Sequence, residues 1–234
     1  MMIKPQSHSQ SGNILIYIIG AIFLLGLLII VAKGSITPGS GIEPEKLLIR
    51  VSEVQQYGRE LEQAIAYIMT NGHSEIDIRF SHPDAVSTYG DITNIPTRQI
   101  FSRDGGGATY RPAPSDIQTV ASDWVFSGEN RVMNVGETSG TNQDAEIIAF
   151  LPNVDEKFCL LINDKNVITN PAGAPPQNTG NVDITTPFTG TLQLSNTIWD
   201  SGTSYLAGKT EGCFEGSGTP PANTFHYYRV LLAR

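Results

Sequence analysis

Cys159 and Cys213 are the only cysteines in a chain of 234 residues. Both follow the chain's one long apolar run, and an even count in an exported domain favours a disulfide. Closing a loop of about fifty residues contributes on the order of 4 kcal/mol in the chain-entropy picture. The plain alternative is two buried free thiols. A metal site is the weaker reading, because two ligands do not complete a tetrahedral shell. The histidines are His8, His73, His82 and His226. His73 and His82 bracket a candidate strand containing Asp77, yet nine extended residues hold them roughly 25–30 Å apart at about 3.3 Å per residue. Solvated or capping roles suit them better than a shared ion. Gly105 to Gly107 invites a phosphate-loop reading, but no Lys-Ser/Thr follows and no strand-loop-helix surrounds it, so a turn is expected. There is no Gly-x-Ser-x-Gly, no His-Glu-x-x-His and no convincing carboxylate pair. The sequence offers no catalytic constellation and calls for no cofactor and no metal.

Trp124, Trp199 and the run Phe225 to Tyr228 are the remaining candidates for recognition. They read either as a ligand-stacking face or as a sheet core. Acids outnumber bases by 23 to 15, a formal net charge of −8. Such a surface argues against nucleic acid or anionic lipid as a partner.

These groups are positioned by what precedes them. Ile14 to Ala32 is apolar throughout and closes at Lys33. Nineteen helical residues at ~1.5 Å each come close to the ~30 Å of a bilayer's hydrocarbon core. A soluble core helix has no reason to be apolar all round over that length. Three readings fit: a permanent anchor, a cleaved secretory signal with Ala32 and Gly34 as small cleavage-site residues, or a processed helix that stays on the protein. The last turns on the leader MMIKPQSHSQSG, short and polar, which ends in Gly12 against the apolar segment. The positive-inside bias is weak, with Lys4 before the run and Lys33 after it. The acidic remainder and its cysteines point outward.

The junction Gly12–Asn13 followed by an apolar helix resembles the type III signal of type IV prepilins and the pseudopilins of type II secretion. That resemblance implies a prepilin peptidase cutting after Gly12, leaving Asn13 as the new amino terminus and the helix on the mature chain. It also implies a bacterial inner-membrane protein with a periplasmic C-terminal domain, whose partners are the lipid bilayer and other pilin-like subunits. The fifth mature residue, usually a glutamate in that family, is Tyr17 here. Some minor, tip-located pseudopilins also lack that acid, so Tyr17 points away from a major filament subunit. The segments GNILIYIIGAIFLL, FSRDGGGATYRPAP, IIAFLPNV and HYYRVLLAR together look like an uncharacterised family of bacterial pilin-like membrane proteins. A monomeric, membrane-tethered binding domain is the competing reading.

The expected organisation is a leader over 1–12, a transmembrane helix over 13–33, a flexible joint over 34–42 and an α+β domain over 43–234. The joint holds Gly34, Pro38, Gly39 and Gly41. Beyond it, Leu47, Val51, Val54, Gly58, Leu61, Ile65 and Ile68 recur at spacings of 4-3-4-3-4-3, an amphipathic helix with Pro44 near its start and Asn71-Gly72 at its stop. Gly58 stands where a large side chain belongs, so something should pack closely there. An anchor, a joint and an amphipathic helix in series match the bent N-terminal helix of a pilin, whose second half lies across an antiparallel sheet.

Strand signals follow: Ile76, Ile78 and Phe80 in alternation; short strands around Gly105–Gly107; a hairpin turning at Ser127 to Asn130; and a buried strand from Glu146 to Leu151. Asn153 with Glu156 reads as the cap of a short helix ending near Asp164. Asn170 to Pro187 reads as a long surface loop, and Thr191–Leu194 and Thr224–Leu232 as strands.

Overall fold

The computed structural model describes residues 18–19, 44–136, 144–200 and 204–234. The chain divides into two units, 1–41 and 42–234. Within the first unit, Ile18 and Ile19 are helical and exposed. Gly12, Asn13, Tyr17 and the joint lie outside the described residues, as does nearly all of the apolar run. No helix among the described residues is long and apolar enough to cross a membrane.

The second unit is α+β. Helix α1 (Pro44–Thr70) buries the expected stripe, from Leu47 through Ile68. It stops where Gly72 takes φ +89° and its N–H returns to the Met69 carbonyl at 3.0 Å, the left-handed ending that glycine permits. A short helix, α2 (Val86–Tyr89), follows within a long irregular stretch.

Strands β1 (Val125–Val132), β2 (Glu146–Val154), β3 (Asn196–Ile198), β4 (Glu211–Glu215) and β5 (Phe225–Leu232) form one sheet in the order β3-β1-β2-β5-β4. All neighbours are antiparallel except β1 and β3. Helix α3 (Glu156–Lys165) follows β2 directly. The sheet is buried on both faces, and successive residues of β2 and β5 alternate between two cores. Ile147, Ala149, Leu151 and Tyr227 join the core that includes α1 and α3. Ile148, Phe150 and Tyr228 join a second core closed by Ile168, Val182 and Leu206 from loops. That double burial explains why β2 reads as a continuous apolar run.

Several expectations need correction. Ile76, Ile78 and Phe80 do not form a strand. Glu75–Asp77 is a 3-10 turn, fixed by the Asp77 carboxylate accepting from both the N–H and the hydroxyl of Ser74 at 3.0 Å; Ile76 is left exposed while Ile78 and Phe80 are buried. No strands flank Gly105–Gly107. The glycines serve close approach: a Cβ on Gly106 would stand 2.7 Å from the Ala64 Cβ of α1, and Gly107 takes φ +70°.

Ser127 to Asn130 is not a hairpin turn but the irregular middle of one strand, β1. Its carbonyls are engaged by a remote segment, with Gln193 N–H on Gly128 and Ser195 N–H on Glu129, each at 3.0 Å. Thr191–Leu194 therefore runs beside β1 without becoming a strand. The cap of α3 is Asp155, whose carboxylate accepts from Lys157 N–H at 2.8 Å, rather than Asn153, which sits at φ +56° inside the extended β2. The Asn170–Pro187 stretch is no free loop: Asn178 and Val182 are fully buried, and bridges tie Gln177 to Glu215 and Asn178 to Asp200.

Candidate functional site

The disulfide joins Cys159 of α3 to Cys213 of β4, with Cα atoms 5.2 Å apart and both side chains fully buried. Beside it, Asn163 completes a clamp. Its amide oxygen accepts from Cys213 N–H at 2.9 Å and its amide nitrogen donates to the Cys213 carbonyl at 3.1 Å. One side chain thus does for edge strand β4 what another strand would do. Further along, Glu215 N–H donates to Pro176 and its carbonyl accepts from Asn178 N–H. At the opposite edge, Thr179 N–H meets the Trp199 carbonyl and Asn178 accepts from Trp199 N–H. Both edges are covered, which removes the usual template for strand addition.

The face of α1 turned to β5 carries a polar layer. Arg229 Nε and Nη2 reach Glu62 at 2.7 and 3.1 Å, and Arg229 Nη1 lies 3.2 Å from Glu211. Glu211 also accepts from Tyr227 Oη at 2.8 Å and Gln55 at 3.1 Å. Burial pulls the Arg229 pKa down, but the Glu62 and Glu211 carboxylates hold it above the ordinary arginine value. The guanidinium stays charged and forked.

Alongside α1 runs a cleft of about 270 Å³. Arg50, Glu53 and Tyr57 of the helix form one wall; Arg111, Pro112 and Trp124 form the other. Tyr57 and Trp124 meet edge to face at 5.3 Å, and the Arg111 guanidinium lies 5.5 Å above the Tyr57 ring. Arg111 pairs with Glu60, whose other oxygen accepts from Thr109 N–H at 2.8 Å. Arg50 bridges Glu53 at 2.7 Å and Asp116 at 2.9 Å. Burial pushes the Asp116 carboxyl up, yet Arg50 and Lys46 hold it below its ordinary pKa. The charges of the cleft are therefore spent on one another, and Trp124 is nearly buried with its Nε1 lacking an acceptor.

The other sequence candidates do not converge. Tyr227 and Tyr228 fill opposite cores, so Phe225–Tyr228 presents no stacking face; Trp199 alone of the aromatic set is well exposed, at 41%. His82 is buried, stacked on Tyr110 at 3.6 Å, with Nδ1 unpartnered. His226 is buried against Asn153 N–H and the Thr224 hydroxyl, and burial lowers its pKa to about 4. The 3-10 turn at Glu75–Asp77 removes the extended spacing between His73 and His82. Among the described residues, no three metal-binding side chains come together. Glu146, the first residue of the expected buried strand, is a site that sequence reasoning misses: it is fully buried, accepts from Val132 N–H at 2.8 Å, and burial raises its pKa to about 8. Its place at the start of an apolar run was the available signal.

The chain matches no protein-family model, no curated protein and no solved structure.

Proposed function

We propose that the chain is a pilin-like or pseudopilin-like subunit of a bacterial envelope. It is held in the inner membrane by its N-terminal helix, with the α+β domain in the periplasm. It acts by assembly with other subunits' helices rather than by catalysis. The observation that carries this reading is α1: a 27-residue amphipathic helix, starting directly after the glycine-rich joint, that packs on a largely antiparallel sheet. That is the second half of the anchor, joint and helix arrangement to which the Gly12–Asn13 junction belongs.

Three further observations support it. The buried disulfide suits an oxidising compartment. The covered sheet edges turn association away from strand pairing. Leu48 and Ile49 lie exposed near the start of α1, on the side away from the sheet, and offer apolar contact to a neighbouring helix.

The competing reading, a tethered binding domain, is supported by the cleft beside Tyr57 and Trp124. Its volume falls below the ~300 Å³ usual for ligand sites, and its charges already have partners, so assembly is favoured. Deleting residues 1–41 separates the two. An assembly subunit loses incorporation into larger membrane complexes, read by co-purification, while its domain remains folded. A binder keeps its ligand.

A further inference from the structure

The backbones of Arg79 and the 98–100 segment are bonded side by side. Arg79 N–H donates to the Arg98 carbonyl and Ile100 N–H to the Arg79 carbonyl, each at 2.9 Å. Arg79 bridges to Gln99, and Arg98 closes the 3-10 turn just before it; the two arginines are therefore neighbours, an arrangement that repels unless something compensates. The repulsion registers on Arg79, whose pKa is lowered first by burial and then by Arg98.

Neither guanidinium is fully engaged. Arg98 Nη1 pairs with Asp77 at 3.0 Å, but its Nε is buried without an acceptor. Arg79 Nη1 donates to the carbonyls of Ile76 and Ile78 at 2.7 and 2.8 Å, and Arg79 makes no ion pair with a carboxylate among the described residues. Both arginines line a pocket of about 160 Å³ that Ser81, Asp91 and Asn94 help to wall. The Ser81 hydroxyl donates to the Tyr89 carbonyl at 2.6 Å, and Asp91 Oδ1 accepts from the N–H and hydroxyl of Thr93 at 2.8 and 2.9 Å. Among the wall residues, Arg98 Nε is the buried donor without an acceptor.

The frame around them is held under strain. Ile95, another wall residue, takes φ +49° and ψ +69°, a rare conformation for a β-branched side chain. Gly190, at φ +104°, lies against the Arg79 guanidinium where any Cβ would collide with it.

We propose that this pocket binds a small oxyanion, a single carboxylate or phosphate group, through the forked N–H groups of Arg79 and Arg98. The volume admits one such group and not a drug-sized ligand. The site is separate from the assembly reading and stands whether or not that reading holds.

Calorimetric titration of the full-length protein in uncharged detergent, at constant ionic strength, tests it with two probes, inorganic phosphate and acetate. Saturable binding of one or both is expected, and the stronger probe identifies the source of the oxyanion. Arg98→Gln and Asn94→Asp should each weaken binding at least tenfold. The second substitution adds another carboxylate to the wall, beside that of Asp91, without altering either arginine, so it decides the matter if Arg98→Gln does not fold. Absence of saturable binding for both probes, or unchanged affinity in a folded variant, overturns the proposal.

Discussion

Arg229 crosses α1 at Gly58 and closes on Glu62, a path that a Cβ at residue 58 would block. The glycine is a notch for a guanidinium that ties the last strand to the long helix, and it sits in the middle of the stripe that packs on the sheet.

Gly58→Ala makes the notch testable. Alanine gains ~1 kcal/mol of helix propensity over glycine. The new Cβ would stand 2.7 Å from Arg229 Nε, and Arg229 is pinned by two carboxylates. Overpacking of this kind costs about 1–3 kcal/mol. The net outcome expected in urea denaturation is a loss of up to about 2 kcal/mol in place of the ~1 kcal/mol gain that propensity alone would give, whereas Ser52→Ala on the exposed side of α1 should change stability by less than about 0.5 kcal/mol.

Asn163→Ala removes both bonds of the clamp on Cys213. Leaving a buried N–H and a buried carbonyl unpaired costs about 1–3 kcal/mol for each. It also bares part of the β4 edge, so light scattering should detect association absent from the wild-type domain. The disulfide should survive the substitution, as a mass lower by two hydrogens than that of the same variant after reduction would reveal.

Two buried titratable groups give stability pH dependences of opposite sign. His226 is neutral when folded and protonates readily when unfolded, so its contribution is complete above pH ~6.5 and is lost as pH falls towards 4. A shift of this size corresponds to about 3 kcal/mol, and His226→Gln should flatten the acid limb by that order. Glu146 keeps its proton in the fold. Its contribution is complete below pH ~4.5 and is lost as pH rises towards 8. Glu146→Gln should flatten the alkaline limb by a few kcal/mol. Stability measured by urea denaturation from pH 4 to 9 reads both.

The elements legible in the sequence were those whose causes are local. The stripe and stop of α1 lie within 30 residues, and β2 and β5 announce themselves as apolar runs. The β1 irregularity reads as a hairpin because Ser-Gly-Glu-Asn has turn chemistry, while its bonding partners lie more than sixty residues away, at Gln193 and Ser195. The 3-10 turn at Glu75 was legible in principle, since Ser74 and Asp77 have capping-box spacing. The arginine pocket is not: Arg79 and Arg98 are nineteen positions apart and meet because Arg79 pairs with Gln99 in a bridge outside any strand. The stripe marks Gly58 as a point of close approach, but periodicity carries no information about its partner Arg229, near the end of the chain.

Pilin-like processing is read directly at the mature amino terminus. The chain, expressed from its native start together with a prepilin peptidase, should yield a purified protein whose N-terminal peptide by mass spectrometry begins at Asn13. A Gly12→Val variant should remain unprocessed. A mature protein that begins at Met1 or Met2, or after Gly34, would contradict the account.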